Sequence, residues 1–168
     1  MTPEPDLTTL EVLGIAIKSE IEAVKLYNRM KELTKNDDLA MKLDFLIAQE
    51  HKHKEILTEA YRKKFTEVDL SLPSKSLVPS IGELLEKNAG LKELFGAAME
   101  AERKSEEFYG GLAEKTRDSN SKSMLQYLAS MEHSHFSILE AEYKQLEFSA
   151  EYNSDDYLRG ERLMNLGP

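Results

Sequence analysis

Residues 43–57 read LDFLIAQEHKHKEIL, and residues 125–139 read LQYLASMEHSHFSIL. In each stretch a Glu and a His stand three positions apart, Glu50 with His53 and Glu132 with His135. At that spacing both side chains project from one face of a helix. The face is otherwise apolar. Leu46, Glu50, His53 and Leu57 form one stripe, and Leu128, Glu132, His135 and Leu139 form its counterpart. An unpaired charge in a core stripe is costly, and no Lys or Arg on these stripes neutralises it.

The two stretches belong to a longer repeat. Shifting positions 9–65 by 82 gives 91–147 without a gap, and 15 of the 57 positions are identical. Unrelated sequences of ordinary composition match at roughly one position in fifteen, so duplication of a helical hairpin accounts for the agreement. Apolar residues recurring every three or four positions predict four long helices. They span about Leu7 to Leu33, Asp38 to Phe65, Leu91 to Thr116 and Asn120 to Glu147. Short polar turns at Lys35-Asn36-Asp37 and Arg117-Asp118-Ser119 make each pair an antiparallel hairpin. A crossover linker over about 66–90 joins the hairpins, with Pro73 and Pro79 breaking helix. Within it, Ser80-Ile81-Gly82-Glu83 has the form of a capping box opening a short helix. The fold class is therefore all-α, a four-helix bundle over residues 1–149. Residues 150–168 form a polar, turn-rich tail in which Tyr152, Tyr157, Leu158 and Met164 could pack on the body or on a partner.

Two further carboxylates share the core stripes. Glu20 lies in the first helix with Leu13, Ile17, Val24 and Tyr27, and Glu102 lies in the third with Phe95, Met99, Glu106 and Tyr109. Glu20 and Glu50 are each 15 residues from position 35, and Glu102 and Glu132 are each 15 from position 117. Folding at the turns brings each pair to one height, near the middle of helices about 40 Å long. Four carboxylates and two neutral imidazoles carry a charge that two divalent cations would balance. One Glu from each of two helices, with Glu-x-x-His from each of the others, is the ligand pattern of ferritin-like di-metal carboxylate proteins.

On Glu20 with Ala23 and Tyr27, on Glu50-x-x-His53, and on their second copies, the chain resembles the ferritin-like domain of rubrerythrins over about residues 8–149. The resemblance implies a ferritin-like four-helix bundle holding two iron ions, with manganese or zinc as other occupants. Glu50 and Glu132 would bridge the metals, Glu20 and Glu102 would bind terminally, and His53 and His135 would each give one nitrogen. Tyr27 and Tyr109 would orient the carboxylates. Two departures bear on activity. Rubrerythrins usually add an iron–four-cysteine domain for electron delivery, and this sequence contains no cysteine. They also carry a carboxylate three residues after the third-helix Glu, where this chain has Ser105; the neighbouring Glu106 is rotated about the helix.

Composition narrows the remaining classes. Without cysteine there is no disulfide, thiolate metal site or cysteine nucleophile. A net charge of −9 opposes a nucleic-acid surface. Met1 to Asp6 lacks the basic and apolar regions of a signal peptide, and no apolar run is long enough to span a membrane. The cytoplasm is the expected location. His51 and His133 point about 100° away from the neighbouring Glu and read as surface residues. Tyr61, Tyr143 and the methionines read as core or interface, and Glu22, Glu106 and Glu107 as surface charges. Three functions are compatible with these residues: an oxidoreductase reducing peroxide or oxygen, a ferroxidase or iron-binding protein without an organic substrate, and a helical scaffold with a structural metal. Manganese catalases and some quinone-pathway hydroxylases use similar ligands. The expected partners are a second copy in a homodimer and a separate electron-donor protein.

Overall fold

A computed structural model of the chain describes residues 8–164 except 88, with side chains through 149. The Met1–Asp6 segment and the side chains of Tyr152, Tyr157, Leu158 and Met164 lie outside the described residues. Five helices and no strand occur among the described residues: α1 (Thr9–Leu33), α2 (Asp37–Lys64), α3 (Ser80–Glu86), α4 (Leu91–Lys115) and α5 (Ser119–Met164). The four long ones form the expected all-α, ferritin-like bundle. α1 packs along α2 and α4 along α5; the hairpins meet most closely through α1 and α4, while α2 and α5 stand farther apart and meet through their side chains.

Local chemistry sets the helix starts. Thr8 caps α1 in a reciprocal arrangement, its backbone N–H donating to Glu11 Oε2 at 2.8 Å and its Oγ1 accepting from Glu11 N–H at 3.3 Å. Asn36 Oδ1 accepts the Leu39 N–H that opens α2, and Asp118 Oδ2 accepts the Ser121 N–H in the first turn of α5. Two expectations differ from the observed structure. Ser80 does not cap α3; it is the first helical residue, preceded by Pro79 with no side-chain cap. α5 does not stop near Glu147 but runs 46 residues to Met164. The polar residues beyond Ser149 favour a turn-rich tail on polarity alone. No proline interrupts residues 148–164, however, and Glu, Leu, Arg and Met there favour helix.

The crossover is fastened to α1. Lys18 Nζ donates to the carbonyls of Pro73 and Ser74 at 3.1 and 2.7 Å, and Ser76 Oγ donates to Glu22. Tyr61 Oη donates to the Asp69 carbonyl at 3.2 Å. A Cβ at Gly14 would stand 3.0 Å from Pro73 Cδ, so the missing side chain lets the linker lie on the helix. α3 then closes one end of the bundle, where Val78 and Ile81 join Tyr27, Met30, Leu43, Leu94 and Phe95 in a continuous core. A second cluster, with Leu13, Ile17, Leu57, Tyr61, Tyr109 and Leu128, fills the opposite half. Polar side chains occupy the level between these two cores.

Candidate metal centre

Glu20 (α1), Glu50 and His53 (α2), Glu102 (α4), and Glu132 and His135 (α5) are all buried, none more than 2% exposed. They converge. His53 Nδ1 lies 3.1 Å from both Glu50 Oε2 and Glu132 Oε1, and 3.6 Å from Glu20 Oε2. His135 Nδ1 lies 2.8 Å from Glu50 Oε1, 3.4 Å from Glu132 Oε2 and 3.6 Å from Glu102 Oε2. Each hairpin thus sends its Glu-x-x-His into contact with the other hairpin's. The imidazoles stack with centroids 5.4 Å apart and planes 17° from parallel. Ligand atoms of Glu50, His53, Glu132 and His135 all fall within 4.8 Å of one another, and Glu20 and Glu102 flank that quartet through the 3.6 Å contacts, one at each imidazole.

The donor atoms are too close for a random polar pocket and too poorly aligned for a finished hydrogen-bond network. Among the described residues, Glu50 Oε1, Glu102 Oε1, Glu132 Oε1 and both nitrogens of His135 have no hydrogen-bond partner, nor has His53 Nε2. His135 Nδ1 and Glu50 Oε1 are near in distance yet out of line for a bond. Buried polar atoms are normally paired. Lone pairs gathered at a common centre fit a metal ligand set, and the all-oxygen-and-nitrogen donors suit iron, manganese or zinc.

Proton placement is set by the geometry. For Glu20 and Glu102, burial and then the charge of Glu132 push the carboxyls well above their usual range. Burial pushes Glu50 the same way, but the close imidazoles of His135 and His53 overcome it and bring the group to about 2. Glu132 is likewise lowered, against burial and the charge of Glu50, by the two imidazoles. Burial alone would lower both histidines. Their carboxylate neighbours prevail, holding His53 at about 11 and His135 at about 12. These directions favour protons on the two imidazoles, Glu20 and Glu102 over Glu50 and Glu132. Two of the four carboxyls thus go up and two go down, and both rings go up.

The surrounding residues sort differently from one another. Tyr109 Oη donates to Glu20, and burial, then the Glu20 charge, raise its pKa. Its repeat mate Tyr27 is equally buried, but its hydroxyl has no partner, and neither has Glu102 Oε1, the repeat counterpart of the oxygen that Tyr109 reaches. His51 is exposed, and exposed His133 sits 3.2 Å from Glu106 outside the cluster. Glu107 pairs with Arg103 at the surface, and Glu22 is bound to the linker. Ser105 is buried, its Oγ 3.1 Å from Ser19 Oγ across the α1–α4 seam. Sequence reasoning did not find that pair, because the two positions are not repeat mates. It also missed Tyr127, whose ring stands edge-on to His53 at 6.5 Å. The signal was present: its repeat mate is Phe45, an aromatic in both copies, and both are exposed.

Four long helices in two duplicated hairpins, with a carboxylate–imidazole cluster at mid-height, define a ferritin-like bundle of the di-metal type. A family model described as Rubrerythrin matches residues 11–143, and the chain belongs to the rubrerythrin family. No curated protein matches the sequence. A solved structure of a hypothetical protein from Pyrococcus furiosus is similar at 30% identity and a TM-score of 0.74, covering 84% of this chain and 91% of that one. The buried Glu/His group suits the iron that the family typically binds. No described helix is long and apolar enough to cross a membrane.

Proposed function

We propose that the protein is a di-iron oxidoreductase that reduces peroxide or oxygen, with Glu20, Glu50, His53, Glu102, Glu132 and His135 as metal ligands. The observation that carries this reading is the convergence of four carboxylates and two imidazoles, fully buried, with unpartnered donor atoms facing one another. When bound, a ferrous pair supplies two electrons and open coordination positions to the substrate. The chain's own contribution is positional. Glu50 and Glu132 each touch both imidazoles, as bridging groups would, whereas Glu20 and Glu102 each touch one, as terminal groups would. Tyr109 fixes the orientation of Glu20, and the ligands are buried between the two apolar clusters.

Ferroxidase activity without an organic substrate is the second reading. It is favoured by Ser105, which bonds to Ser19 and puts no additional carboxylate into the cluster. Since these 168 residues contain no cysteine, turnover would draw electrons from a donor outside them. Anaerobic iron loading followed by stopped-flow mixing with peroxide, then with oxygen, separates the readings. Stoichiometric oxidation of two irons by peroxide, with repeated turnover on adding a reducing partner, is expected. Oxidation by oxygen alone, with retained ferric iron, would favour the ferroxidase. Sustained peroxide reduction with NADH and no donor protein would refute the separate donor, and failure to bind more than one iron would refute the dinuclear reading.

A further inference from the structure

The duplicated halves differ at their two ends, and the difference leaves a cavity. Around Tyr27, α3 and the residues before it press Val78, Ile81 and Leu84 against Leu94 and Phe95. Around Tyr109 the repeat mates of Leu94 and Phe95 are the smaller Val12 and Leu13, and among the described residues no second α3 covers them. A cleft of about 780 Å³ opens there, between α1, α2, α4 and α5. That volume lies in the range of small-molecule sites. Val12, Leu13, Ile56, Leu57, Leu112 and Leu125 supply apolar walls, and Tyr109, bonded to Glu20, is part of the lining.

The mouth has a charge of its own. Lys63, Lys64 and Arg117 line it with Glu59 and Asp118, which leaves it at +1 on a chain of −9. Both carboxylates are engaged: Glu59 pairs with Lys63 at 2.6 Å, and Asp118 accepts the Ser121 N–H at 2.8 Å. Lys64 acts on Asp118 only at a distance, and among the described residues neither Lys64 nor Arg117 forms an ion pair. Two available cations over an apolar cleft suit a ligand with one anionic head and a hydrocarbon body.

We infer that this cleft binds a free medium-chain fatty acid, its chain against Leu13, Leu57 and Leu125 and its carboxylate at Lys64 and Arg117. An uncharged chain would forgo the cations, and a cationic one would meet them. An anionic bilayer would meet the −9 of the whole molecule, with only the small positive mouth to attract it.

The test is titration calorimetry of the chelated full chain with dodecanoate below its micellar concentration, with 1-dodecanol and dodecyltrimethylammonium as probes of the head group. Dodecanoate is expected to bind once per chain. Val12→Leu combined with Leu13→Phe moves the cleft toward the filled half and should weaken binding by at least about tenfold. Lys64→Glu with Arg117→Glu, both at the mouth, should weaken dodecanoate by roughly tenfold and change 1-dodecanol by less than about twofold. Absence of dodecanoate binding by the wild type would overturn the inference. So would equal affinity for dodecyltrimethylammonium, or undiminished binding by a folded Val12→Leu, Leu13→Phe variant. Binding only to fatty-acid-free anionic vesicles would overturn it in favour of a membrane. A non-binding wild-type dimer, with a monomeric filled variant, would overturn it in favour of a second copy. If the filled variant does not fold, the charge-reversed one decides. Because the protein is chelated, these outcomes are independent of the di-iron reading.

Discussion

At the scale of single residues, each side chain at the site acts through what it leaves behind when removed. Glu50 contacts both imidazoles, so Glu50→Ala takes away the group shared by the two halves. The variant is expected to lose at least one metal per chain, whereas His51→Ala, on an exposed residue one position away, should keep both; metal analysis after anaerobic loading checks the pair. Tyr109→Phe removes only the hydroxyl that donates to Glu20. Loss of such an orienting bond typically weakens metal affinity by about 10–100-fold, and competition with a chelator would measure it. Tyr27→Phe should weaken it far less, since that hydroxyl has no partner in the metal-free protein. Equal effects would mean that Tyr27 bonds once metal is bound.

At the scale of elements, the repeat offers matched experiments. Gly14 and Gly96 are repeat mates within helices, but only Gly14 lies under the crossover linker, with Pro73 Cδ at 3.0 Å from a would-be Cβ; nothing lies within 4 Å at Gly96. Glycine inside a helix costs roughly 0.5–1 kcal/mol relative to alanine. Gly96→Ala should therefore stabilise by about that amount, while Gly14→Ala should stabilise less or destabilise as Pro73 is displaced. Urea unfolding of both variants gives the comparison. α3 has only seven residues, too few to be stable alone, so its place depends on packing. Ile81 is 3% exposed, and Ile81→Ala should cost about 2–4 kcal/mol. Met41→Ala, at 64% exposure, should stay within about 0.5 kcal/mol.

At the scale of the whole molecule, the site couples stability to pH and to metal. The raised carboxyls Glu20 and Glu102 favour the fold fully below their unfolded pKa of about 4.3, and that contribution fades as pH rises toward their folded values. His53 and His135 contribute fully below about 6.5 and lose their contribution as pH rises through about 11 and 12. Glu50 and Glu132 have the opposite sign: their contribution is present above about 4.3 and falls away in acid, toward about 2 for Glu50. Between roughly pH 5 and 9, then, the metal-free fold binds more protons than the unfolded chain and should lose stability as pH rises. Calorimetric melting of chelated protein at about pH 6 and about pH 8.5 should show the lower transition temperature at the higher pH. Loading divalent cations has to expel protons from the cluster and should raise the melting temperature. A titration in buffers of different ionisation enthalpy would count them. No proton release, and equal melting with and without metal, would mark the bundle as a bare scaffold.

The sequence by itself determined the architecture and the composition of the buried cluster. Glu50-x-x-His53 and Glu132-x-x-His135 share a helical face because three residues are nearly one turn, and Glu20 and Glu102 reach the same height because they are as far from their turns as those motifs are. Both facts are one-dimensional, set by counting along a helix. The tertiary structure decided everything that depends on distances between faces of different helices. It placed each imidazole beside three carboxylates and thereby divided the protons between them. Among the described residues it gave Tyr109 a partner and left its repeat mate Tyr27 without one, joined Ser19 to Ser105, and filled one end of the bundle with α3 while leaving the other open. Two duplicated halves carry no sign of that asymmetry in their periodicity. It arises because the single crossover linker can cover only one of the two ends.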